Sequence, residues 1–368
     1  VDAEIEAAIR AVGPLSTVPL GDTGLVVGEE LVSSYVERAA GVVDPDQPKD
    51  LAVAYTPLHG VGAAVFVDAL TRAGFRAPAV VTVQASPDPD FPTVSFPNPE
   101  EPGAMDQLIA LASASGADLA IANDPDADRC AVAIPVAAGW RALRGDDVGA
   151  LLADHLIRRG VRGRFVTTIV SSSLLRAMCT ARGVHYGETL TGFKWIARAG
   201  ADLAYGYEEA LGYCVAPDLV RDKDGITAAL LVCELAAGLK AEFRTLADRL
   251  DELAAEFGVY LTDQLSVRVD DLTEIATAMA RLRAKPPAAL LDEPVVSIED
   301  RLPEADVVTL RTDAVRVVVR PSGTEPKLKA YLEVVEPVVG GDVPAARERA
   351  AAAVRALRTE TAAALGIW

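Results

Sequence analysis

Apolar and polar positions along the chain follow two periods in turn. EIEAAIRAV and GEELVSSYVERAAGVV, within residues 1–45, carry apolar residues at helical spacing, and DPDQPKD at 44–50 follows as a linker. Beyond it, short apolar runs alternate with helical ones. LAVAY predicts a buried strand, TPLHGVG a turn, AAVFVDALTRAG a helix and VVTV a second strand. The proline-rich SPDPDFPTVSFPNPEEPG predicts a long loop and AMDQLIALASASG a helix closed by Gly116, while ADLAIA and AVAI predict strands on either side of an acidic loop. The order then recurs without sequence identity. DVGALLADHLIRRG, SLLRAMCTARG and GITAALLVCELAAGL predict helices, and FVTTIV and LAYGY predict strands, the latter running up to Glu208 and Glu209. Strands alternating with helices predict two successive three-layer α/β domains with mostly parallel sheets. From about residue 256 strands crowd together (QLSVRV, VVSI, VVTL, AVRVVVR, KLKAYLEVV) with one helix among them and an Ala/Arg-rich helix last. That texture predicts an α+β domain with a mainly antiparallel sheet.

The 368 residues exceed one compact core, and 51% apolar residues suffice for several. No apolar run reaches the roughly 18 residues of a membrane span, and the acidic start does not read as a signal peptide. Cys130, Cys179, Cys214 and Cys233 are scattered without a CxxC, so reduced thiols and a cytoplasmic location are expected. A formal charge of −18 argues against nucleic acid or an anionic membrane as the main partner. It leaves room for a small anionic ligand in a local cationic cleft. Lysine is scarce, 7 against 28 arginines, yet Lys223, Lys327 and Lys329 fall within the chemically suggestive stretches and Lys194 within TGFKWI.

Three such stretches stand out. ANDPDADRC sets Asp124, Asp126 and Asp128 at alternate positions, where an extended loop turns three carboxylates toward one point. Such oxygen ligands suit Mg²⁺ or Ca²⁺. The EF-hand pattern fails, because Arg129 stands where its glycine belongs and Pro135 where its glutamate belongs. The plainer reading is a solvated acidic turn. YGYEEALGYCVAPDLVRDKDGI places Glu208 and Glu209 at the carboxyl end of a strand, where α/β sheets bind ligands. Adjacent side chains point different ways, so one glutamate faces a ligand and the other need not. Arg221 and Lys223 precede a helix N-terminus that attracts anions; the plainer reading is a charged loop with Asp224 as cap. RPSGTEPKLKAY offers Arg320, Ser322, Gly323 and Thr324 as donors to a phosphate, or else is an ordinary hairpin turn. HGVG is only part of a dinucleotide fingerprint, and His59 within it serves structure or function. Ser171–Ser173 follow a strand without a GxSxG motif, and His155 reads as packing.

DPDADR, TGFKWI, GYEEALG, RDKDG and RPSGTEP together resemble the α-D-phosphohexomutases: phosphoglucomutases, phosphomannomutases and related phosphopentomutases. TPLHGVG and FPNPEEPG are similar to stretches of that family's second domain, and the resemblance runs from about residue 50 onward. It implies a Mg²⁺-dependent mutase acting on a phosphosugar through a phosphoserine and a bisphosphate intermediate. Asp124, Asp126 and Asp128 would be the Mg²⁺ ligands, with Arg129 beside the reacting phosphate. Glu208 would grip sugar hydroxyls, with Glu209, Thr191 and Gly192 alongside. Arg320, Ser322, Gly323, Thr324 and Lys329 would hold the non-reacting phosphate. Lys194 and Lys223 would lie near the ligand, either one able to serve in proton transfer.

The family's serine motif, T/S-A-S-H-N-P, is not found in the sequence, and Ser95 of SFPNP lacks its histidine. The expectation is therefore a remnant of domain one at 1–48, domain two at 49–145, domain three at 146–255 and domain four at 256–368, with a hinge near 254–263. A chain without the serine is expected to be inactive alone, as a monomer or homodimer; the alternative is a non-catalytic sugar-phosphate-binding relative. Ala210 replaces a serine common in the family, which leaves glucose, mannose and pentose phosphates open.

Overall fold

A computed structural model describes residues 2–21, 24–269, 271–322 and 326–366. The chain divides into two units, Val1–Tyr35 and Val36–Trp368. The smaller holds helix α1 (Asp2–Ala11) and a single 3₁₀ turn at Leu15–Thr17, with Ile5, Ile9, Leu20, Leu25 and Val26 exposed. Helix α2 (Glu29–Ala40) crosses the division, and its Val36 and Ala39 are buried within the larger unit.

The larger unit carries three main sheets. In the first, β1 (Val53–Thr56) is followed by α3 (Gly62–Arg72), β2 (Ala79–Val80), α4 (Asp106–Ser115), β3 (Leu119–Ala122), β4 (Ala131–Val136) and β5 (Gly139–Ala142). The sheet order is β2-β1-β3-β4-β5, parallel as far as β3 and antiparallel beyond it. The second follows from α5 (Gly145–Arg158), β6 (Arg164–Thr168), α6 (Leu174–Arg182), β7 (His185–Thr189), α7 (Phe193–Ile196), β8 (Leu203–Glu208), β9 (Gly212–Cys214) and α8 (Gly225–Ala241). Its order is β7-β6-β8-β9, again parallel until a final antiparallel hairpin.

Helix α9 (Leu246–Phe257), started by a Thr245–Asp248 capping box, leads into the third sheet. There β10 (Val259–Arg268), α10 (Leu272–Ala284), a β11–β12 hairpin (Ala289–Leu290, Glu293–Pro294), β13 (Ser297–Asp300), β14 (Val308–Arg311), β15 (Val315–Pro321), β16 (Lys327–Glu336) and α11 (Val343–Leu365) follow. The order β10-β16-β15-β14-β13 is antiparallel throughout. Alternate residues Val315, Val317 and Val319 pack with Leu328, Leu332, Met279 and Leu357 in one core under α10 and α11.

The expected domain classes are present, with local departures. VVTV is a strand only at Val80 and then bends into a 3₁₀ turn at Thr82–Gln84. Its cause is Gln84, wholly buried, whose amide accepts from Thr56 Oγ1 at 2.5 Å and donates to Thr93 Oγ1 at 2.8 Å. A straight strand would carry that amide away from both partners. The mostly parallel expectation holds for the first strands of each α/β sheet only; β4, β5 and β9 run antiparallel. All three domains therefore contain one antiparallel hairpin whose tip coincides with a chemically suggestive stretch of the sequence.

Candidate active site

The first tip, residues 123–130, joins β3 to β4. Asn123, wholly buried, accepts from the Tyr55 hydroxyl at 2.8 Å and donates to the Arg129 carbonyl at 2.5 Å, closing the loop across its base. The Ala127 N–H donates to Asp124 O at 2.9 Å, with Ala127 at φ 60°, and the Arg129 N–H donates to Asp124 Oδ1 at 3.0 Å. These bonds bring carboxylate oxygens of Asp124, Asp126 and Asp128 within 4.8 Å of one another. Burial pushes the Asp124 carboxyl up to about 7, and repulsion from Asp126 and Asp128 adds to this, while the Arg129 N–H opposes it. Asp128 Oδ1 is buried without a hydrogen-bond partner, and the Arg129 guanidinium reaches only to 3.5 Å from Asp124 Oδ2. A crowded, all-carboxylate set with an orphaned oxygen fits a hard divalent cation.

The TPLHGVG turn buttresses this loop. The Val61 N–H donates to Pro125 O at 2.9 Å, and Gly60 lies so close to Pro125 that a Cβ would collide with its backbone. Leu58 and His59 hold left-handed backbone, and the His59 ring is bonded to Thr93 Oγ1 at 2.8 Å. Gly60→Ala should therefore cost about 1–3 kcal/mol from overpacking and displace the aspartate loop. Thermal unfolding with and without divalent cation checks this. An alanine variant as stable as wild type, with unchanged stabilisation by metal, would contradict it.

The second tip, Glu209–Leu211, clasps the first. The Cys130 N–H donates to Leu211 O at 3.0 Å, Arg129 bridges Gly212 in antiparallel fashion, and the Gly225 N–H at the start of α8 donates to Ala127 O at 3.1 Å. The two glutamates do diverge. Glu208 ends β8 near Lys223 and Arg129; burial raises its carboxyl to about 7, Glu209 adds to the rise, and those two cations oppose it. Glu209 instead accepts from Ser171 Oγ at 3.0 Å and lines the cleft. Lys223 forms an ion pair with Asp128. Arg221 donates to the carbonyls of Ala197 (2.9 Å) and Gly200, and Asp224 caps α8 through the N–H groups of Ile226 and Thr227. Both features favour the structural reading of that segment. Lys194 is exposed on α7, its ammonium 5.6 Å from the Trp195 ring, and Thr191 and Gly192 lead into that helix.

The third tip joins β15 to β16. Arg320 stands opposite Lys329, and the Ser322 N–H donates to Lys327 O at 2.8 Å; Gly323 and Thr324 lie outside the described residues. Across the next ladder Arg268 stands opposite Lys327. Four cations thus share one face of three adjacent strands, as two cross-strand pairs. Arg268, Lys327 and Lys329 border a cavity of about 670 Å³ whose other lining includes Asn98, Glu100, Glu101, Glu209, Ala210 and Gln264. Cations occupy one side and carboxylates the other. Arg268, Gln264, Glu100 and Glu101 were not anticipated as site residues. FPNPEEPG had marked the last two, whereas β10 joins the site only through a register no local pattern reveals.

Comparison with known proteins agrees with this geometry. Residues 33–137 match phosphoglucomutase/phosphomannomutase alpha/beta/alpha domain II, 144–257 match domain III and 265–356 match the C-terminal domain. A Haemophilus influenzae protein named "Probable phosphomannomutase" is 42% identical over 341 residues, covering 90% of this chain and 70% of its own length. A Schizosaccharomyces pombe "Probable phosphoribomutase" is 35% identical, with 77% and 55% covered. A Staphylococcus epidermidis "Phosphoglucomutase" is 34% identical, with 83% and 61% covered, so the chain spans under two thirds of these latter two. Among solved structures, a Burkholderia thailandensis phosphoglucomutase/phosphomannomutase family protein shares the fold at TM-score 0.66 and 17% identity, over 91% of this chain and 65% of that one. The open form of Paramecium parafusin does so at 0.65 and 18%, over 92% and 62%. Three matched domains in order, around three hairpin tips, make the conclusion plain: the chain belongs to the phosphoglucomutase/phosphomannomutase family of intramolecular phosphotransferases.

Proposed function

We propose that the chain is the larger part of a Mg²⁺-dependent phosphosugar mutase, holding a sugar phosphate between the three hairpin tips. It would interconvert sugar 1-phosphates with 6-phosphates, or with 5-phosphates for a pentose. The observation that carries this reading is the polarised cleft. Arg268, Lys327 and Lys329 line one side of it, with Arg320 across the ladder from Lys329, and carboxylates suited to hydroxyls stand on the opposite side. A phosphorylated sugar has both ends.

In the proposed reaction a phosphoserine gives its phosphoryl group to a sugar hydroxyl: the serine P–O bond breaks, a sugar P–O bond forms, and the hydroxyl proton passes to a base. The bisphosphate then reverses in the cleft and returns its other phosphoryl group to the serine. Asp124, Asp126 and Asp128 would hold Mg²⁺, which when bound offsets charge on the phosphoryl oxygens being transferred. Arg129, beside them, would orient that phosphoryl group. Glu208 would accept from the sugar hydroxyls, with Glu209 next to it. Lys223, set between Asp128 and Glu208, is better placed for proton transfer than Lys194. Arg320, Ser322, Gly323, Thr324 and Lys329 would hold the distal phosphate.

No serine motif of the family kind occurs in the sequence, so purified 1–368 is expected to bind without turnover. Calorimetric titration with glucose, mannose, ribose and deoxyribose 1-phosphates, with and without Mg²⁺, is the test. At least one phosphosugar should bind, the unphosphorylated sugars should not, and Arg320→Ala should weaken binding at least tenfold. Equal affinity for a sugar and its phosphate would sink the reading, and family-like mutase rates from this chain alone would sink the assignment of the nucleophile.

A further inference from the structure

The three serines that matched no hydrolase motif occupy the junction between the sugar hairpin and the C-terminal domain. On one side, Ser171 Oγ donates to Glu209 Oε2 at 3.0 Å and accepts from the Glu209 N–H at 3.2 Å, with Thr168 Oγ1 2.9 Å away. On the other side is Glu333 of β16, 2% exposed. Its Oε1 accepts from Ser172 Oγ and the Ser173 N–H, both at 2.7 Å, and its Oε2 accepts from Ser173 Oγ at 2.8 Å. Arg316 of β15, directly across the ladder, pairs with Glu333 at 3.1 Å and donates to the carbonyls of Ile169 (3.2 Å) and Ser171. Two strands of the C-terminal sheet thus fix every residue of a turn whose first serine fixes Glu209. The route between the domains is short: Glu333 to Ser172, Ser171 to Glu209, and Glu209 to its chain neighbour Glu208.

Resting on the phosphosugar reading above, we propose that Glu333 and Ser171 are positioning residues: through the 171–173 turn they set the Glu208–Glu209 loop. Seating of the C-terminal domain and grip on the sugar hydroxyls are thereby coupled. The same domain carries the phosphate-facing cations. A ligand that draws it in by its phosphate therefore also orders the carboxylates for its hydroxyls. Neither residue touches the ligand, and both act through side-chain hydrogen bonds that accept a carboxylate in one arrangement only.

The test uses the whole 368-residue chain and two probes: inorganic phosphate, and whichever of glucose, mannose or ribose 1-phosphate the wild type binds best. Ser171→Ala is expected to weaken phosphosugar binding about tenfold, with inorganic phosphate affinity within about twofold of wild type. Glu333→Gln should give the same pattern; Ser173→Ala, which deletes one bond to Glu333, gives a milder version in a fold less disturbed. Because one route is shared, the Ser171→Ala/Glu333→Gln double variant should lose no more than the larger single loss. Equal weakening of both probes would mark a merely structural role, while strictly additive losses would exclude the shared route. Wild-type phosphosugar affinity in Ser171→Ala would also overturn the proposal. Failure of the underlying function reads differently: the unaltered chain would bind no phosphosugar better than inorganic phosphate.

Discussion

Replacing Arg316 by methionine is expected to destabilise the C-terminal domain by roughly 3–5 kcal/mol, the range for breaking a buried ion pair from one side. Arg316 and Glu333 are only 4% and 2% exposed. Methionine keeps much of the volume but leaves the Glu333 carboxylate without its cation and the carbonyls of Ile169 and Ser171 without a donor. The surface pair Arg72–Asp68 is a natural control. Its geometry is as good, at 2.8 Å, but both side chains are nearly half exposed. Arg72→Met should therefore leave the unfolding midpoint close to that of wild type. Urea unfolding of the two variants separates the cases. A loss under about 1 kcal/mol for Arg316→Met would show that the junction contributes little to stability.

A comparably large effect is expected from Asp146→Asn, visible only as pH changes. Asp146 accepts from the Ser172 N–H at 2.7 Å, the Tyr207 hydroxyl at 3.2 Å and Thr262 Oγ1 at 2.8 Å. Burial pushes its carboxyl up to about 7; the Ser172 and Thr262 bonds oppose the rise, and Glu209 and Glu333 add to it. The unfolded value is near 3.9. Between the two values the folded chain holds a proton that the unfolded chain has released. Stability therefore falls as pH rises from about 4 to about 7, and the contribution is lost above that. Three pH units at about 1.4 kcal/mol each set the scale at roughly 4 kcal/mol. Asparagine can accept from the Ser172 N–H through Oδ1 and donate its amide N–H to the Thr262 hydroxyl oxygen, and it carries no charge. The variant should match wild type near pH 4, the lower end of that range, and exceed it by several kcal/mol at pH 8, measured by urea midpoints at both. A difference independent of pH would exclude carboxylate burial as its cause. Thr262 lies in the stretch expected to act as a hinge, so Asp146 pins that stretch to the middle domain.

The aspartate loop was legible because its chemistry is local: three carboxylates within five residues leave few alternatives once they are brought together. The divergence of Glu208 and Glu209 was legible for the same reason, since neighbouring backbone positions point different ways. Arg268 was not, because its place beside Lys327 depends on the register of β10 against β16, which side-chain pattern alone does not set. HYGET, which forms β7, escaped notice because an edge strand half covered by neighbours has no clean alternation. VVTV misled for the opposite reason. It has the composition of a strand, but Gln84 beyond it is held under the TPLHGVG turn, and that tertiary demand overrides the local preference.

The clasp between the first two hairpin tips bears on the order of assembly. Asn123 to Cys130 emerge from synthesis long before Leu211, Gly212 and Gly225, which complete their frame. The first domain closes the loop by its own bonds, and the second sheet adds the Leu211, Gly212 and Gly225 contacts when it folds against the first. The frame of the carboxylate cluster is thus completed by two domains, late and across a long loop closure, and an excised hairpin would carry the three aspartates without the clasp from the second sheet.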